Sequence, residues 1–136
     1  MFATVILVDR RGWVLLQERD EHAPIDPDRW GLVGGHVEEG EDFETAAHRE
    51  LAEETGLTAA PDALFLWREF TVHDSDDAMA VFVGPSNATD ADIVLGEGRQ
   101  IVFVDPALAP GLDLTQAARI VVPEFLASAA YGTLLP

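Results

Sequence analysis

Strand-forming residues run from Phe2 to Val8 and resume from Trp13 to Gln17, with the polar turn Asp9-Arg10-Arg11-Gly12 between them. That pattern predicts a β-hairpin. Asp20 to Arg29 is polar and carries Pro24 and Pro27, so it reads as a loop; Gly31 to Gly35 predicts a short strand that breaks at its glycine pair. From Phe43 to Thr55 the residues are helix formers, opened by acidic side chains and followed by Gly56, a residue suited to end a helix. Ala63 to Val72 and Ala78 to Val83 predict a second hairpin turning through His73-Asp74-Ser75-Asp76-Asp77. Asn87 to Gly98 reads as an irregular excursion and Gln100 to Val104 as a strand. Thr115 to Ala130 shows helical spacing at Ala118, Val121, Val122, Phe125 and Leu126, with a kink or restart expected at Pro123. Strands interleaved with two helices predict an α/β fold, a mixed sandwich, in a single domain spanning 1–136.

The helix at Phe43 to Thr55 carries its charge in an unusual place. At about 100° per residue, Phe43, Ala46, Ala47 and Leu51 share an arc of roughly 140°, the face expected to meet the core. Glu50, Glu53 and Glu54, spaced i, i+3 and i+4, converge inside or beside that arc. Thr45, His48 and Ala52 fall opposite, with Glu44 and Thr55 on the flank. Like charges turned toward the protein repel one another and lose hydration, so they need neutralising. Arg49 alone cannot balance three carboxylates. Either protonation or a hard divalent cation can, and magnesium or manganese suits an oxygen-rich set best.

Composition narrows the field of functions. The chain has 136 residues, no cysteine and a formal net charge of −17. The missing thiols exclude disulfides, thiolate metal sites and cysteine nucleophiles. All eight basic residues are arginine. So acidic a surface repels nucleic-acid polymers and anionic membranes, while small phosphorylated ligands stay compatible if cations mediate. The apolar N-terminus has no basic lead-in and no stretch approaches the ~20 apolar residues of a membrane span, so a cytoplasmic protein is expected.

Gly35, five residues, Glu41, seven residues, then Arg49-Glu50-Leu51-Ala52-Glu53-Glu54-Thr55-Gly56-Leu57 resembles the Nudix box at every defining position. A chance match in this composition is on the order of one in a million. The resemblance, to MutT-like Nudix hydrolases, implies an α/β/α sandwich with a mixed sheet and a loop–helix–loop that holds Mg2+ or Mn2+ against a diphosphate. It implies metal-ligand and catalytic roles for Glu50, Glu53 and Glu54, a further ligand in the Gly34 carbonyl, and an orienting pair in Glu41 and Arg49. Glu97, in Gly96-Glu97-Gly98-Arg99-Gln100, resembles a glutamate that reaches the metal site from a distant loop, as ligand or base. Val33 stands where many members have proline, a difference that leaves the metal-binding positions untouched.

The implied activity is hydrolysis of a diphosphate linkage in a nucleoside diphosphate derivative or nucleoside triphosphate by metal-activated water. A non-catalytic nucleotide sensor on the same fold is the alternative; such a domain is expected to lose box glutamates, and all are present. The isomerases that share the fold use a cysteine this chain lacks. Arg19, Arg29, Arg68 and Arg99 are candidates for phosphate contacts, and Trp30, Trp67 and Phe70 for base stacking. His73 reads as a surface residue. The proline typical of ADP-ribose hydrolases is absent near Thr71-Val72-His73. The expected partner is a small nucleotide-like substrate, with the protein a monomer or homodimer.

Overall fold

The computed structural model describes residues 1–71 and 77–136. The first strand, β1 (Phe2–Val8), lies at the centre. It runs parallel to β6 (Ala78–Pro85) along its whole length and antiparallel to β4 (Val33–His36) from Phe2 to Val5. Beyond β6 lies β5 (Phe65–Thr71), antiparallel with an irregularity between Leu66 and Arg68. A second ladder joins β2 (Val14–Glu18) to β7 (Gln100–Val104) over five residue pairs and to β3 (Trp30–Gly31). The sheet is therefore mixed.

Side-chain alternation along β1 explains the layers. Ala3, Val5 and Leu7 pack with Leu15, Val33, Phe82 and the buried Ala46, Ala47 and Leu51 of α1 (Phe43–Thr55). Ile6 and Val8 point the other way, into a core shared with Val81, Val83 and the Val121, Val122 and Phe125 side chains of α2 (Gln116–Leu126). A strand buried on both faces is apolar throughout rather than alternating, which is why Phe2 to Val8 reads as a continuous run.

The first hairpin survives as a single rung, Val8↔Val14, because β2 diverges to pair with β7. Its turn is held by the buried Asp9 carboxylate, which accepts from the amides of Arg11 and Trp13 at 2.8 and 3.0 Å. In the second hairpin β5 ends at Thr71; Val72, the last expected strand residue, and His73 to Asp76 of the expected His73 to Asp77 turn lie outside the described residues. The irregular stretch after β6 contains one 3-10 turn, Asp90–Asp92.

Helix α1 has the predicted limits. Asp42 caps it by accepting the Thr45 amide at 2.7 Å, and Gly56, at φ +70°, closes it by donating its N–H to the Ala52 carbonyl. Two wheel positions differ from expectation. Thr55 is fully buried rather than on the flank, its hydroxyl donating to the Leu51 carbonyl at 2.6 Å. Glu53 is 58% exposed, turned to solvent beside Arg49 rather than inward. The C-terminal helix passes through Pro123 unbroken and ends at Ala127; α3 (Ala129–Leu134) restarts from a Ser128 cap, and the Tyr131 hydroxyl donates to the Gly12 carbonyl at 2.6 Å. The restart thus follows the serine cap, not the proline.

Candidate active site

Two glycines bring β4 and α1 together. Gly34 has φ +152°, and a Cβ there would stand 2.2 Å from the Ala3 carbonyl oxygen, so only glycine lets β4 lie this close to β1. A Cβ on Gly35 would meet the Glu50 carboxylate at 2.6 Å. The double glycine thus makes room for a carboxylate against the strand.

Arg49 organises one side of the site. Its Nε and Nη2 donate to the two oxygens of Glu41 at 2.7 and 2.9 Å, a bidentate pair, and Nη2 also reaches the His36 carbonyl at 3.0 Å. Glu41 in turn accepts the Glu38 amide at 2.9 Å. The remaining nitrogen, Nη1, donates to Glu50 at 3.0 Å and Glu53 at 3.2 Å. One guanidinium therefore anchors the helix to the strand-and-loop before it and orients two box glutamates. Glu50 is 8% exposed; desolvation lifts its carboxyl above the usual range, against the opposing pull of Arg49.

Glu54 faces away from Arg49. Burial, then the charges of Glu97 and Glu50, push it up to about 7. The Glu97 carboxylate is close enough to raise it, although the two lie far apart in sequence. Four hydrogen bonds and a close backbone approach bring Glu97 there. The Gly96 amide donates to the Glu54 carbonyl and the Val94 amide to the Thr55 carbonyl, each at 2.8 Å, so the loop satisfies the open carbonyls at the end of α1. Gly96 itself lies directly on the helix, where a Cβ would stand 2.3 Å from the Glu53 carbonyl oxygen. Finally, Gln17 Nε2 donates to Glu54 Oε2 at 3.2 Å and to the Glu97 carbonyl at 2.8 Å. Gln17 was not singled out in the sequence. Its one signal is a polar side chain at the end of the apolar run Val14-Leu15-Leu16, and it is 9% exposed.

Gln17, Glu54, Glu97 and Gly34 border a cavity of about 300 Å³ whose far wall is Arg19 and the loop through Ile25. A smaller cavity of about 140 Å³ shares Arg19, Ile25 and Gly34 and continues between Phe2, Leu32 and Met79. Arg19 stands between the two. Its Nη1 donates to the Ile25 carbonyl at 2.5 Å, and burial holds its guanidinium below the ordinary arginine value despite Asp26 and Glu97 nearby. The other arginine candidates are held by carboxylates: Arg29 by Asp26 and Asp113, Arg68 by Glu124, Arg99 by Glu18, Glu21 and Asp28. Among the aromatic candidates, Trp30 packs against the α2-side core, and Trp67 sits between Phe70 and Phe125 with ring centroids 5.7 and 5.2 Å away. None of the three belongs to the described walls of either cavity.

The carboxylates thus form two connected groups, Glu41, Glu50 and Glu53 around Arg49, and Glu54 with Glu97 around Gln17. Among the described residues, no three acidic or histidine side chains stand close enough to enclose an ion as they are. The donor chemistry nevertheless fits a hard cation. Glu54 carries raised affinity for a proton, receives one amide hydrogen from Gln17, and adjoins two further carboxylates.

The sequence profile of the NUDIX domain matches residues 2–125. Over 55 residues the chain is 51% identical to the RNA pyrophosphohydrolase of Caulobacter vibrioides, covering 40% of this chain and 31% of that one. Over 90 residues it is 33% identical to the oxidized purine nucleoside triphosphate hydrolase of Danio rerio, covering 66% and 50%. The chain thus matches 31% and 50% of the length of these two relatives. A solved MutT structure, from work on Aliivibrio salmonicida and Vibrio cholerae, superposes with a TM-score of 0.72 at 26% identity, covering 93% of this chain and 95% of that one. A mixed sheet between two helical layers, a glycine-backed acidic helix and a profile spanning nearly all of its length make this chain a member of the NUDIX domain family.

Proposed function

We propose that this protein hydrolyses a diphosphate linkage in a nucleoside triphosphate or nucleoside diphosphate derivative, with Mg2+ or Mn2+ held at the carboxylates of α1. The observation that carries this reading is that Glu54 and Glu97 line a cavity to which the half-buried Arg19 also contributes, with Glu50 adding its charge nearby. Excess negative charge on one wall suits cations; a desolvated guanidinium on the other suits a phosphate oxygen. The names of both relatives, a pyrophosphohydrolase and a nucleoside triphosphate hydrolase, describe cleavage of phosphoanhydrides, which supports the same bond type.

Glu50, Glu53, Glu54 and Glu97, with the Gly34 carbonyl, are the oxygen donors proposed for the metal. When bound, such a cation neutralises phosphate charge and acidifies coordinated water. The rest falls to the chain itself. Glu41 and Arg49 hold Glu50 against Gly35 and keep Glu53 within reach of it. Glu54 and Glu97 are the carboxylates proposed to take a proton from an attacking water, since both line the cavity. Arg19 orients a phosphate oxygen, and the narrower space between Phe2, Leu32 and Met79 offers apolar contact to the group attached to the diphosphate.

A panel of nucleoside triphosphates, nucleoside diphosphate derivatives and 5′-triphosphorylated RNA, each with Mg2+ or Mn2+, tests the proposal. Turnover of at least one small nucleotide, abolished by chelator, is the expected result. Binding of nucleotides with no turnover of any member would replace hydrolysis by sensing.

A further inference from the structure

The loop from Asp20 to Asp28 forms the outer wall of the larger cavity through His22, Ala23, Pro24 and Ile25. Its backbone is held in an unfavourable shape: Asp26 and Asp28 have φ of +48° and +62°, the left-handed region that side-chain-bearing residues seldom adopt. Each of those aspartates is tied across the fold. Asp26 accepts the Gln116 amide at the start of α2 at 3.0 Å and faces Arg29 at 3.5 Å. Asp28 accepts from Arg99 Nη2 at 2.8 Å. The same nitrogen donates to Glu21 at 3.0 Å, and Nη1 reaches Glu18 at 3.4 Å.

Arg99 therefore grips both ends of the loop and the strand that precedes it. It also sits two residues beyond Glu97, on the segment that Gln17 and the end of α1 hold in place, with its own amide bonded to the Glu18 carbonyl at 2.8 Å. The guanidinium is planar and directs its donors to several carboxylates at once, an arrangement that a lysine ammonium reproduces only in part. We infer that Arg99 is a positioning residue for substrate binding, clamping the Asp20 to Asp28 loop into the conformation that walls the cavity. This inference rests on the hydrolytic reading above. Because Glu97 has separate anchors in Gln17 and Gly96, losing the clamp acts on the cavity wall more than on the carboxylates.

The test compares Arg99→Ala, Asp28→Asn and the double variant in Mg2+, with Arg99→Lys as a conservative control. Asparagine tolerates the left-handed backbone, so Asp28→Asn removes the ion pair without a new backbone penalty. The expected result is a KM raised about ten-fold in Arg99→Ala with kcat changed less than about three-fold, a loss of binding shared by both states. The double variant should lose no more than the worse single one, and Arg99→Lys should recover part of the loss. Hydrogen exchange gives an activity-independent readout: the Ala23 and Asp28 amides, both bonded to the Asp20 carbonyl, should exchange faster in Arg99→Ala while α1 does not change. Unchanged exchange in the loop, additive losses, or a fall in kcat at constant KM would overturn the inference. A wild-type protein that cleaves nothing would overturn the hydrolytic reading instead, leaving exchange to decide the clamp.

Discussion

Glu54 is the residue at which local chemistry shows most plainly. Its carboxyl is pushed up to about 7 by burial and by Glu97 and Glu50, so the metal-free fold binds its proton more tightly than the unfolded chain does. The sign follows from that difference. With the folded value raised, stability is fullest below the ordinary glutamate range near 4.5 and falls as pH rises toward about 7. Glu54→Gln removes the penalty. After discounting for partial exposure, the variant in chelator at pH 8 should be more stable than wild type by about 1–2 kcal/mol, a Tm higher by roughly 4–8 °C. Thermal unfolding at pH 5 and pH 8 checks this, and an equal Tm at both pH values would remove Glu54 from the strained group. The i, i+3, i+4 spacing made the inward turn of Glu50 and Glu54 legible, but not that Glu53 turns to solvent beside Arg49. Gln17 was not legible, because a glutamine ending an apolar strand gives no hint that its amide will bridge Glu54 and the Glu97 carbonyl. Nor could spacing separate Arg19 from Arg29, Arg68 and Arg99. The partners that engage the latter three come from tertiary contacts, several of them distant in sequence.

Helix α1 and the Glu97 loop are held together as one element. Helix α1 was readable to its ends, since the Asp42 cap and Gly56 are local signals that no tertiary contact had to supply. The loop was not, because its conformation depends on carbonyls at the end of a helix about forty positions earlier. Gly96 is the point of closest approach. Alanine there places a Cβ 2.3 Å from the Glu53 carbonyl oxygen and 3.0 Å from the Glu54 Cα, both backbone atoms that cannot swing aside. Gly96→Ala should therefore lower stability by about 1–3 kcal/mol in urea unfolding. It should also cut kcat/KM at least ten-fold, because Glu97 is carried away from Glu54. A variant that loses neither would show that the loop reaches the site by another route. Elsewhere the element boundaries departed from the pattern for identifiable reasons. β2 leaves β1 after one rung because β7 offers five, and the last helix breaks where Ser128 can cap a new one rather than at Pro123.

At the scale of the whole molecule, a formal charge of −17 surrounds a site proposed to take phosphates. Arg19 supplies a positive charge on the cavity wall, and Arg49, Arg68 and Arg99 are committed to carboxylates. Such a surface disfavours a polyanionic partner, and binding of a long RNA should weaken further as salt is lowered, because the protein's own field repels it. No helix among the described residues is long and apolar enough to cross a membrane. The three-layer arrangement was legible because β1 is apolar on both faces and two helices follow strands at suitable intervals. The pairing order of the strands was not, since nothing local indicates that β1 and β6 lie parallel. The account stands on cation-dependent cleavage at the α1 carboxylates. Its most direct measurement is nucleotide turnover against Mg2+ or Mn2+ concentration, for wild type and for Glu54→Gln. Turnover should rise with the cation to saturation, vanish in chelator, and fall by about 100-fold or more in the variant. Turnover that ignores the cation, or that survives Glu54→Gln undiminished, would contradict it.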